Sequence, residues 1–149
     1  MKYFGCILDF TKERNDDLMR AYNLHLVSAR RIVMPDFYQK VADSPARRFW
    51  VSERRASVVV SSMLAGRPLV KMRSNKREMF EEIFRRFLIE RRRFPDKCIY
   101  ELVSRVVNQP APKFYLTPRT VYELICRIKI GWYDKHYERY RQYLEGDGH

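Results

Sequence analysis

Arg54 and Arg119 hold the same place in two like segments. Pro45-Ala46-x-x-Phe49-Trp50-Val51-Ser52-x-Arg54 returns 65 positions later as Pro110-Ala111-x-x-Phe114-Tyr115-Leu116-Thr117-x-Arg119. Each arginine falls in the first turn of a helix opened by Ser52 or Thr117, where the helix dipole disfavours a cation. A guanidinium kept there suits a phosphate oxygen or the edge of a guanine. Arg55 and Thr120 stand beside them. Arg54, Arg55, Arg119 and Thr120 are therefore the residues expected to approach bases or phosphates. Arg47, Arg48 and Lys113 in the preceding loops, with Arg127 further along the second helix, are expected to anchor the nucleic-acid backbone.

No other chemistry is as well supplied. His25, His136 and His149 are scattered without metal-ligand spacing, and five glycines form no phosphate loop. The acidic pairs Asp16-Asp17 and Glu81-Glu82 lie among basic residues and read as solubilising charge. No catalytic residue, metal site or cofactor is expected, and the chain is read as a non-enzyme. Cys6, Cys98 and Cys126 contain no CxxC pair, which suits a reducing, cytoplasmic setting. The N-terminal stretch lacks a small-residue cleavage site and reads as mature protein. No apolar run is long enough for a bilayer, so no membrane is expected as partner.

The charge balance points the same way as the arginines. Thirty Lys and Arg face 18 Asp and Glu over 149 residues, a formal +12 with a pI near 9.9. Such an excess speaks of partners rather than of fold, and nucleic acid is the commonest one. The densest basic run, Arg91-Arg92-Arg93 with Arg85, Arg86 and Lys97, reads as a solvated face; a functional role for it would be contact with phosphates without reading sequence.

The elements that hold these residues are helical. Extended backwards without gaps, the likeness aligns Glu13 with Glu78, Leu18 with Ile83, Arg20 with Arg85 and Tyr22 with Phe87, and both copies finish at a glycine, Gly66 and Gly131. Each copy is expected to hold three helices. The first spans about 9–31 or 75–94, the latter with Met79, Phe80, Ile83, Phe84, Phe87 and Leu88 on one face and Asn75 as its cap. The second spans about 36–42 or 97–108, with Cys98, Ile99, Leu102, Val103 and Val106 inward, and stops at Pro45 or Pro110. The third follows the caps Ser52 and Thr117, with Pro118 in the first helical position. Phe49-Trp50 and Phe114-Tyr115 are read as core plugs, one ring of each pair turned inward. A last helix is expected over Trp132 to Leu144, then a frayed end from Gly146 to His149. The fold class is thus all-α: two tandem three-helix repeats, residues 1–70 and 71–149, packed into one body with a C-terminal helix.

Two helices, a turn, and a third helix that starts with Ser or Thr and Arg resemble the helix-turn-helix class of DNA-binding proteins. The resemblance implies that the helices after Ser52 and Thr117 enter major grooves, N-terminal residues toward base edges. Pro45 to Val51 and Pro110 to Leu116 make a longer connection than that class uses. The function expected is DNA binding by a small regulator or an accessory factor of a mobile element or phage. Two other readings stand beside it: an adaptor gripping a protein partner through Trp50, Trp132 and Tyr137, and RNA binding if Trp50 or Tyr115 is exposed beside arginines.

Overall fold

The computed structural model describes residues 5–29 and 36–146. Among them lie seven helices and no strand: α1 (Gly5–Ser28), α2 (Asp36–Ala42), α3 (Glu53–Leu64), α4 (Ser74–Arg93), α5 (Ile99–Val107), α6 (Pro118–Lys129) and α7 (Trp132–Gly146). The all-α expectation holds. Arg30 and Arg31, expected to end the first helix, and Asp147 to His149, expected to fray, lie outside the described residues.

The chain divides into two compact units, Ala42–Thr117 (the central unit) and Met1–Val41 with Pro118–His149 (the terminal unit). This division does not fall at residue 70. The helix that closes each expected repeat meets the other repeat: α3 packs on α5 and α4, and α6 packs on α1 as well as on α7 of its own half.

In the central unit α3 contributes Ala56, Val59 and Val60, α4 contributes Met79, Phe80, Ile83 and Phe87, and α5 contributes Leu102, Val103, Val106 and Val107. Phe49, Phe87, Ile83, Val60 and Val103 are wholly removed from water, each worth about 1.5–3 kcal/mol of transfer free energy. The inner stripe of α5 begins later than expected, at Leu102. Pro95 and Asp96 hold the chain in a turn, the helix starts at Ile99, and Cys98 is exposed in the cap position. Asn75 is likewise no cap. The helix α4 begins at Ser74, and its entry is fixed by the Arg77 guanidinium, which donates to the carbonyls of Leu69 (3.2 Å) and Met72 (3.1 Å).

The ends of α3 follow local rules. Ser52 Oγ accepts the Arg55 backbone N–H at 3.1 Å, and buried Val51 precedes buried Ala56 as a hydrophobic staple. At the far end Gly66 takes φ +78°, its N–H reaches the Met63 carbonyl, and the Arg67 N–H reaches that of Ser62. This is the glycine-closed stop that a side chain would strain. Gly131 takes φ +72° after α6.

Two loops of the central unit meet back to back. Ala46 and Ala111 exchange both backbone hydrogen bonds at 3.0 Å. The Phe49 N–H donates to the Val107 carbonyl at 3.0 Å, and the Phe114 N–H donates to that of Ala42 at 2.9 Å. Phe49 and Phe114 align in the sequence 65 positions apart, as do Ala42 and Val107, so these four bonds form two reciprocal pairs.

The terminal unit is built on an aromatic chain. Tyr22 meets Phe37, Phe37 meets Tyr38, and Tyr38 meets Tyr122, edge to face at 5.3–5.7 Å between ring centres. Lys129 Nζ donates to the Tyr22 hydroxyl at 2.8 Å. Fully buried Asp17 is held by the Arg20 guanidinium at 2.7 Å, which offsets the cost of taking a carboxylate out of water.

Candidate nucleic-acid interface

Basic charge concentrates in the central unit. Residues 42–117 hold 17 of the 30 basic side chains and 8 of the 18 acidic ones. Twelve of those 17 are exposed, against five of the eight acids, so the surface of the unit is positive.

The other five cations, all half-buried, fasten the fold. Arg48 donates to the carbonyls of Phe49 (3.1 Å) and Val51 (2.9 Å) and lies 5.3 Å from the Trp50 ring centre. Arg77 ties the segment before α4, as above. Arg86 donates to Glu82 Oε1 (2.9 Å) and the Pro110 carbonyl (2.8 Å) and sits 4.9 Å over Phe49. Lys113 pairs with Glu78 at 2.6 Å beside Tyr115, and Lys97 lies 5.2 Å from the Phe94 ring centre. Arg48 and Lys113, expected as backbone anchors, thus hold loops in shape with their charged ends.

Electrostatics around these fasteners follow from contact. A hydrogen bond from Arg85 holds the Glu82 carboxyl below the usual range, with Arg86 acting in the same sense against a smaller effect of burial. Burial pushes the Tyr115 hydroxyl up to about 12, with Glu82 and Glu78 adding to the shift. Tyr115 and Phe114 both turn inward, and Phe49 is buried beside half-buried Trp50. The inward rings number one in the first pair and two in the second. Trp50, Trp132 and Tyr137 are all half-buried.

The expected reading residues divide between the units. Arg54 and Arg55, with Arg47, are exposed in the central unit. The outward face of α3 continues as Val58, 55% exposed, and Ser61. No charged residue follows Arg55 in this helix. A solvated helix face ordinarily carries Lys and Glu, and the exposed side of α4 does so. Arg119, Thr120 and Arg127 belong to the terminal unit. There Arg119 pairs with Glu123 at 3.2 Å, and Arg127 stacks 5.3 Å from the Trp132 ring centre. The place that Val58 takes after Arg54 is thus taken after Arg119 by a carboxylate.

One feature of the site lay beyond sequence reading. Phe94 carries two cations, Lys97 at 5.2 Å and Arg105 at 4.4 Å, next to the exposed run Arg91 to Arg93. The run itself was visible, but the addition of Arg105 depends on how α5 turns back on α4. Among the described residues no three His, Cys, Asp or Glu side chains are grouped to hold a metal ion, and no helix is long and apolar enough to cross a membrane. Comparison with known protein families, curated proteins and solved structures finds no match.

Proposed function

We propose that this chain is a non-enzymatic protein that binds duplex DNA, a small regulator or accessory factor, with α3 as its reading helix. The observation that carries the proposal is the outward face of α3: two arginines in the first turn, then only small uncharged side chains. Arginine at a helix start suits guanine or phosphate, and Val58 and Ser61 behind it leave room for the floor of a major groove, valine against a thymine methyl. The excess of exposed cations on the same unit supports a polyanionic partner.

The packing also supports a variant of the helix-turn-helix reading. The partner packed most fully against α3 is α5, so the pair that acts together would join helices from the two halves of the sequence. We take the chain as a tandem repeat whose closing helices have been exchanged. The reciprocal bonds between positions 65 apart support this. In the terminal unit the α6 tip contributes less, because Glu123 neutralises Arg119 and repels phosphate.

A salt titration on random and selected duplexes tests the proposal. Wild-type affinity is expected to fall steeply from low to moderate salt. The double change Arg54→Ala and Arg55→Ala is expected to lower it at least 10-fold and to reduce discrimination between sequences, because each base contact is worth about 1–3 kcal/mol. Affinity indifferent to salt, or a folded double variant that binds like wild type, contradicts it.

A further inference from the structure

We infer that the turn between α4 and α5 is a second, sequence-blind phosphate-binding site, in which Lys97 and Arg105 on the Phe94 ring, with Arg92 and Arg93 at the α4 end, hold the backbone of the duplex that α3 reads. The inference rests on the DNA-binding proposal and names a site which that proposal does not use.

The cations are brought together by covalent and packing constraints. α4 ends at Arg93, five residues form the turn, and α5 returns along α4 from Ile99. Lys97 from the turn and Arg105 from the second turn of α5 both lie on the Phe94 ring, at 5.2 and 4.4 Å. An aromatic face attracts cations, so the ring fixes two charges whose mutual repulsion would otherwise spread them. Arg91 and Arg92 are exposed and make no ion pair, hydrogen bond or ring contact among the described residues. The acids nearby do not balance them. Glu90 is buried and reaches Arg93 only at 4.0 Å, while Asp96 and Glu101 are single charges on the same turn and helix.

Cations stabilise a helix C-terminus, which suits Arg91 to Arg93. That effect acts over the last turn of α4 and gives no reason for Lys97 and Arg105, which belong to the turn and to α5. Five cations around one turn, two of them pinned on a ring, form a preorganised acceptor for an anionic chain.

The site is continuous with the α3 tip. Glu53, the residue before Arg54, accepts a hydrogen bond from the Tyr100 hydroxyl at 3.3 Å and another from Asn108 Nδ2 at 3.0 Å. Tyr100 stands in the first turn of α5, three residues beyond Lys97. The α3 tip is thus tied to α5 at Tyr100 near its start and at Asn108 at its C-terminal cap, and the same helix carries Arg105 to the Phe94 ring. Phosphate contacts along α5 would set register and orientation, while base contacts read sequence.

The test uses the full chain and compares two variants with wild type. In the first, Arg92→Gln, Arg93→Gln and Lys97→Gln are combined, leaving Arg105 on Phe94 to hold the turn; circular dichroism checks the fold. In the second, Arg54→Ala and Arg55→Ala are combined. The logarithm of affinity is measured against the logarithm of salt concentration for two duplexes of different sequence. The turn variant is expected to weaken both duplexes by the same factor and to reduce the salt slope by about 0.9 for each lost phosphate contact. The α3 variant is expected to lose discrimination between the duplexes. A turn variant with the wild-type slope and affinity overturns this inference and leaves the α3 proposal standing. A wild-type protein that ignores duplex DNA overturns both. So does one that is drawn only to vesicles containing phosphatidylserine.

Discussion

Ser57 sits within α3 with its Oγ buried and no hydrogen-bond partner. A buried hydroxyl without a partner costs about 1–3 kcal/mol of desolvation, and serine is a poorer helix former than alanine. Ser57→Ala is therefore expected to stabilise the protein by about 1 kcal/mol, read as a higher midpoint in urea; an unchanged or lower midpoint means that the hydroxyl has a role. Tyr115 stores strain of another kind. Its φ of +58° is a left-handed conformation that costs an L-residue with a side chain about 1–2 kcal/mol. Stacking on Phe49 at 6.1 Å between ring centres, and burial of the ring, offset that cost. Glycine or asparagine would relax the backbone but leave Phe49 without its neighbour. At this scale four half-buried cations, Arg48, Arg77, Arg86 and Lys113, fasten carbonyls, carboxylates and rings of their own unit, and the exposed cations, some of them also paired, give the surface its charge.

Among the helices, α3 and α6 invite direct comparison, because they open alike and differ on the outward side. The difference can be transferred. Val58→Glu would set a carboxylate one turn after Arg54, as Glu123 stands after Arg119. The variant is expected to keep wild-type stability, since Val58 is 55% exposed, and to lose DNA affinity at least 10-fold. Full binding by this variant in a mobility-shift assay would separate α3 from the interface. How far these elements were legible in the sequence depends on the range of the forces involved. Ser52, Gly66, Pro118 and the apolar spacing of α4 act within one or two turns, and they located helices to within a few residues. The start of α5 was misjudged because Leu102, Val103, Val106 and Val107 are sorted from Cys98 and Ile99 by what they pack against. Arg48, Arg86 and Lys113 looked like any surface cation. Their partners are loop carbonyls, a ring and a carboxylate whose nearness is decided by tertiary packing. The α3 tip stands out as a candidate because its arginines oppose a local rule, and a local rule can be read from spacing alone.

Over the molecule, the packing of α3 on α4 and α5, and of α1 on α6, makes long-range contacts obligatory. In the terminal unit α1 packs on α6, 90 residues beyond its end, and in the central unit Ala46 pairs with Ala111. Helical proteins held by neighbours in sequence fold in about microseconds to milliseconds, whereas non-local topologies take milliseconds to seconds. Refolding by stopped-flow fluorescence of Trp50 and Trp132 is expected in the slower range; a main phase completed in microseconds would show that the distant contacts do not limit folding. The same packing bears on how the protein is made. When residues 1–66 have left the ribosome, α3 exists, but α4 and α5, which cover Ala56, Val59 and Val60, have yet to be synthesised. The central unit can close only after Thr117 emerges, and α1 must wait still longer for α6. Until those partners emerge the nascent chain displays apolar stripes that nothing yet covers, so its safe passage depends on the interval between the first helix and the sixth.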